Sequence, residues 1–148
     1  MSKIEASVLI SSAAGDVWEF ITDLSNAPKW DPAALEMTQT SDGPAGPGMT
    51  LHLTLSEYPK VEDFRVEDYQ VNRRFTLEYT SGPVKGTRMS FELAPADGNT
   101  ELRLVWDLRY AGIGRLIGPL ITRNARREGA TFVANIKRLV EAEALAEL

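Results

Sequence analysis

The stretch IGRLIGPLITRNARREGATFVANIKRLVEAEAL, Ile113 to Leu145, decides the fold. Gly118, Ile121, Ala125, Phe132, Ile136 and Leu139 recur at the helical period, so the segment predicts one long helix with a single dry stripe. Arg123, Arg126, Lys137 and Glu141 occupy the opposite, solvated side. Pro119 cannot sit inside a helix without losing a hydrogen bond, so either the main helix begins near it or a short preceding turn is kinked there. Gly118, Ala125 and Gly129 are small where Leu or Ile would be usual. Each either lets backbones approach closely or leaves volume unfilled as a cavity. On the cavity reading, Gly129→Leu blocks ligand uptake and leaves the fold intact.

Upstream, the helical period gives way to alternation. Ile4, Ala6, Val8 and Ile10 mark a half-buried strand, followed by a short amphipathic helix carrying Val17, Trp18, Phe20 and Ile21. Asp23 to Pro32 is too proline-interrupted to be regular and ends on Trp30, read as a plug over the core. Leu35 to Thr40 is a short strand, and the glycine- and proline-rich Asp42 to Gly48 is a turn. Met49, Leu51, Leu53 and Leu55 alternate with polar residues, as do Phe75, Leu77 and Tyr79, then Met89, Phe91 and Leu93. After the hairpin signal Asp97-Gly98-Asn99 come Leu102, Leu104, Trp106, Leu108 and Tyr110. Val61 to Val71 is extended with its phase open: Asp68 faces inward if Phe64 and Val66 do, whereas Arg65 and Glu67 do so if Tyr69 and Val71 point in.

This order predicts one α+β domain over 1–148, a mainly antiparallel curved sheet wrapped around a long C-terminal helix, with two short helices after the first strand. A twisted sheet meets a straight helix best at one end, and the other end opens into a pocket.

Composition narrows the function classes. The chain has 148 residues, 43% hydrophobic and 25% charged, as ordinary globular domains do. The absence of Cys removes disulfide and thiolate chemistry, and a single His, His52 on a polar face, leaves no imidazole metal set, so neither metal nor cofactor is expected. The net charge of −5 argues against a nucleic-acid partner. No apolar run is long enough to span a membrane and no secretory signal opens the chain, so the expected address is the cytoplasm. Gly112-Ile113-Gly114-Arg115-Leu116-Ile117-Gly118 departs from the dinucleotide fingerprint, having Ile117 where the third glycine belongs. Arg115, Arg123, Arg126 and Arg127 cluster in the first half of the helix, where its dipole favours acids; they are either a solvated face or a basic rim for an anionic ligand, lipid head group or acidic partner.

Asp16-Val17-Trp18-Glu19-Phe20-Ile21-Thr22-Asp23, Trp30, the turn from Gly43 to Gly48 and the ending Gly114-Arg115-Leu116, Pro119-Leu120 and a long helix together resemble the polyketide cyclase/dehydrase branch of the START-like (SRPBCC) superfamily. The resemblance covers essentially the whole chain. It implies a helix-grip fold with a deep hydrophobic cavity. It also implies a carrier or sensor of lipids, quinones or polyketides, an aromatase/cyclase, or a protein-interaction module. No motif chooses among these.

The expected ligand is therefore a hydrophobic small molecule. Met49, Leu53, Phe75, Met89, Phe91, Trp106, Leu108, Ile121 and Ala125 are its predicted lining, with Tyr79, Asn124 and Glu128 as orienting polar groups. Were the protein an enzyme, Glu128 or Asp68 would be the acid/base and Tyr79 the donor to a developing oxyanion; alternatively Glu128 simply reaches water or pairs with an arginine.

Overall fold

In the computed structural model, which describes residues 2–148, the long helix α3 spans Gly118–Ala146 and lies over one end of a seven-stranded sheet. It begins later than the periodicity suggested. Gly112–Arg115 forms a separate 3-10 turn, and Pro119 opens α3 in its first turn, where a missing N–H costs nothing. Residue 1 of the predicted 1–148 domain lies outside the described residues.

The strands are β1 (Ser2–Ile10), β2 (Ala34–Gln39), β3 (Thr50–Leu55), β4 (Val61–Gln70), β5 (Arg74–Tyr79), β6 (Arg88–Ala96) and β7 (Asn99–Leu108). All neighbours are antiparallel, in the order β1-β7-β6-β5-β4-β3-β2. Helix α1 (Ala14–Thr22) and the single turn α2 (Ala27–Trp30) fill the crossover from β1 to β2 at the two ends of the sheet. The Asp97-Gly98 pair, both with positive φ, closes the two-residue hairpin between β6 and β7.

Neither phase offered by the sequence describes the whole of β4. Phe64 and Val66 point inward, but the register shifts between Val66 and Asp68, so Glu67 and Asp68 both face outward and Tyr69 points in again. This bulge removes Asp68 from the interior, contrary to the expectation that it follows Val66. Its carboxylate instead pairs with Arg74 at 2.6 Å on the outer face. The bulge leaves the inward phase of the first half intact, and that phase includes Glu62.

Edge-to-face aromatic contacts run through the core from α1 to α3. Trp18 meets Tyr69 and Phe75, Phe75 stacks on Phe91, Phe91 meets Trp30, and Phe132 bridges Trp30 and Trp106. Asn135 donates to the Trp30 carbonyl at 3.1 Å, tying α2 to α3.

Two of the small residues on α3 answer to close packing rather than to a cavity. A Cβ on Gly129 would stand 3.2 Å from Trp106 Cζ3 and 3.6 Å from Ala6 Cβ; one on Gly118 would touch the Tyr110 ring at 3.4 Å. Gly129 faces Trp106 and does not line the cavity, so the expectation that Gly129→Leu blocks uptake and spares the fold gives way to one about stability. The side chain would drive into Trp106, and we expect Gly129→Leu to destabilise the protein by about 1–3 kcal/mol, read from the urea midpoint. An unchanged midpoint would mean that Trp106 moves aside without cost.

Candidate functional site

Where the sheet curls away from the first half of α3, a cavity of ≈390 Å³ remains between them. That volume is within the range of small-molecule sites. On α3 its wall is the stripe Ile121, Asn124, Ala125, Glu128 and Phe132, successive turns on one side of the helix, preceded by Ile117 just ahead of the first turn. The sheet supplies Leu53, Leu55, Phe64, Met89, Trp106 and Leu108, while Trp30 and Ala33 close the α2 end. Glu57, Tyr58 and Pro59, in the turn between β3 and β4, line it as well; Tyr58 is 62% exposed and marks the mouth.

Of the twelve residues expected to line a binding site, nine border this cavity: Leu53, Tyr79, Met89, Trp106, Leu108, Ile121, Asn124, Ala125 and Glu128. Met49, Phe75 and Phe91 do not. All three are buried in the core, Phe75 against Trp18 and Phe91 against Phe75 and Trp30, outside the end where the cavity opens. Arg123, Arg126 and Arg127 are exposed on α3 and take no part in the lining.

The apolar wall carries ionisable groups of one sign. Asp31, Glu57, Glu62 and Glu128 line the cavity, and among the described residues no Lys, Arg or His does. Asp31 is 9% exposed; its Oδ1 accepts the Ala33 N–H at 3.0 Å, and it makes no ion pair among the described residues. Burial pushes its carboxyl up to about 6, against the opposing pull of that N–H and with the Glu57 charge adding to the rise. Glu62 is driven to about 8, first by burial and then by Glu128 and Asp31. Glu128 lines the cavity while its side chain remains exposed, as the alternative that it reaches water requires; desolvation followed by the charges of Asp31 and Glu57 raises it to about 7. Its alternative, pairing with a neighbouring arginine, is not realised: no basic group is among the causes of its shift.

Tyr79 is buried at the cavity wall, its hydroxyl accepting the Trp106 Nε1–H at 3.3 Å. Burial, with the Glu62 charge adding to it, holds its phenol well above the usual range, so it remains a donor at every ordinary pH. Glu62 and Asp31 are the residues that sequence reading missed. Alternation from Phe64 back to Glu62 carried the signal for one; Asp31 sits in an irregular segment where no periodicity points.

A helix gripped by a seven-stranded antiparallel sheet, with a predominantly apolar cavity between them, is the helix-grip fold. The chain belongs to the family described as polyketide cyclase / dehydrase and lipid transport, whose model matches residues 1–141. No curated protein matches the sequence. Among solved structures, a protein of Thermus thermophilus is similar at 12% identity and a TM-score of 0.77, over 96% of this chain and 99% of that one. The Zhui aromatase/cyclase from Streptomyces sp. R1128 follows at 13% identity and 0.75, over 97% and 95%. The Aha1 dimer from Colwellia psychrerythraea is similar at 17% identity and 0.69, over 95% and 97%. These likenesses concern the fold. Among the described residues no helix is long and apolar enough to cross a membrane.

Proposed function

We propose that the protein binds a hydrophobic small molecule in the cavity beneath α3, as a carrier or sensor. The observation that carries this reading is the cavity itself: a predominantly apolar and aromatic enclosure in a chain otherwise packed tightly enough that a Cβ on Gly129 would crowd the Trp106 ring. Nile red, a neutral dye whose emission reports an apolar environment, tests it in titration. Saturable one-to-one uptake with a blue shift is expected; a linear, non-saturating response would contradict the reading.

A second reading, an aromatase/cyclase-type enzyme, is favoured by one observation. Glu128 and Glu62 face the cavity with carboxyls that hold a proton near neutrality, and Tyr79 stands beside them as a permanent donor. An acid of that kind protonates a developing oxyanion. With a poly-β-keto thioester mimic, the reading predicts a bell-shaped pH profile that Glu128→Gln abolishes; full turnover by that variant removes Glu128 from the mechanism.

A further inference from the structure

We infer that the cavity selects an organic cation, a protonated amine on an apolar, preferably aromatic, body. This deepens the proposed binding function and rests on it. The cavity is lined by acids delivered from separate elements: Asp31 at the C-terminal end of α2, Glu62 on β4 and Glu128 on α3, with Glu57 at the β3–β4 turn. No basic side chain among the described residues lines it. The groups acting on these three carboxyls are other acids and the Ala33 and Ala34 N–H groups, never a lysine or arginine. The remaining titratable groups on the wall, Tyr58 at the mouth and Tyr79 within, are phenols, and Tyr79 is a neutral donor.

Salt pairing is plentiful elsewhere. On the outer face of the same sheet Arg74 holds Asp68 and Arg88 holds Glu67, each at 2.6 Å, whereas the acids lining the cavity, Asp31 buried, Glu62 half-buried and Glu57 and Glu128 exposed, make no ion pair among the described residues. Asp31 shows the point most sharply. It is nine-tenths buried against the cavity, and backbone N–H groups are the only donors its carboxyl meets among the described residues. Enclosed acids without a charged partner oppose folding, and a ligand that brings the missing positive charge removes that opposition on binding.

The walls suit such a ligand beyond its charge. Trp30, Phe64, Trp106 and Phe132 offer ring surface for its body, and an indole face attracts a cation in its own right. Because the acids repel one another, an incoming ammonium displaces protons from them. Cation binding is therefore accompanied by proton release and tightens as pH rises through the range in which Asp31, Glu128 and Glu62 titrate, about 6 to about 8. An anionic ligand would show the opposite trend.

Three probes with one aromatic body separate the possibilities: naphthylmethylamine, naphthalenemethanol and naphthoate, titrated calorimetrically into the full-length protein at pH 6 and pH 8, in buffers of different ionisation enthalpy. The ammonium is expected to bind at least about tenfold more tightly than the alcohol at pH 8, with net proton release, and the carboxylate not measurably. Glu62→Gln and Glu128→Gln, each close in shape to the native side chain, should each cost the ammonium roughly tenfold more affinity than they cost the alcohol. If alcohol and ammonium bind equally, or the carboxylate binds best at pH 6, cation selectivity is overturned while the cavity reading stands. If none of the probes binds and Nile red is not taken up either, both fail together.

Discussion

Glu62→Gln is expected to melt at least about 5 °C above the wild-type protein at pH 8.5 and at about the same temperature at pH 4. The sign follows from the direction of the shift. An unfolded glutamate loses its proton near 4.5, whereas in the fold Glu62 keeps it to about 8, so between those values the native state binds more protons than the unfolded one. Stability therefore falls as pH rises from about 4.5 to about 8, and stays at its lower level above that. The opposition to folding from an ionised Glu62 is on the order of 2–5 kcal/mol, given that each pKa unit corresponds to about 1.4 kcal/mol. Gln has the shape of the protonated acid and never ionises, so the variant loses this slope and retains the smaller ones from Asp31 and Glu128. On the acid side the order reverses. Glu67, Asp68 and Glu141 are held below their ordinary values by hydrogen bonds and charge from Arg88, from Gln70 and Arg74, and from Lys137; the stability they contribute is lost as pH falls below about 4 in both proteins. Equal melting temperatures at pH 8.5 would mean that Glu62 reaches bulk water.

Ala125→Trp is expected to abolish saturable Nile red uptake, a loss of at least about twentyfold in affinity, while circular dichroism retains the native spectrum. Ala125 is buried on the inward stripe of α3 and lines the cavity, so an indole there occupies space where a ligand would lie. Overpacking elsewhere costs about 1–3 kcal/mol because the core is already full; at Ala125 the added atoms enter the cavity, and the stability loss should be smaller than for Gly129→Leu. Ile121→Trp, one turn earlier and only half-buried, is the milder form of the same experiment. Two folded variants with full uptake would place the dye outside this cavity.

Comparison of Gly129 with Ala125 shows how far the sequence reaches. Both are small, both lie on the inward side of α3, and one turn separates them, yet one is pressed against Trp106 and the other opens onto the cavity. Helical periodicity specifies direction. It says nothing of how far away the opposing wall stands, and that distance is set by the twist of seven strands taken together. The strands themselves were legible, because alternation over six to ten residues survives any local error, and the Asp97-Gly98 turn fixes its own register. β4 was not, because its bulge places two consecutive residues outward and leaves each half obeying a different phase. That single insertion separated the acid that lies in the cavity, Glu62, from the one that does not, Asp68. Met49, Phe75 and Phe91 face inward as their alternation requires; being inward placed them in the core, and only the divergence of α3 decides which inward residues meet a ligand.

The most direct test of the central claim is the mass of the purified protein under native and denaturing conditions, taken after incubation with a mixed lipid and aromatic-amine extract. A non-covalent adduct on the order of a few hundred daltons, lost on denaturation and absent from Ala125→Trp, is the predicted result. A native mass equal to the bare polypeptide, or an adduct that Ala125→Trp retains in full, would contradict a ligand-binding cavity beneath α3.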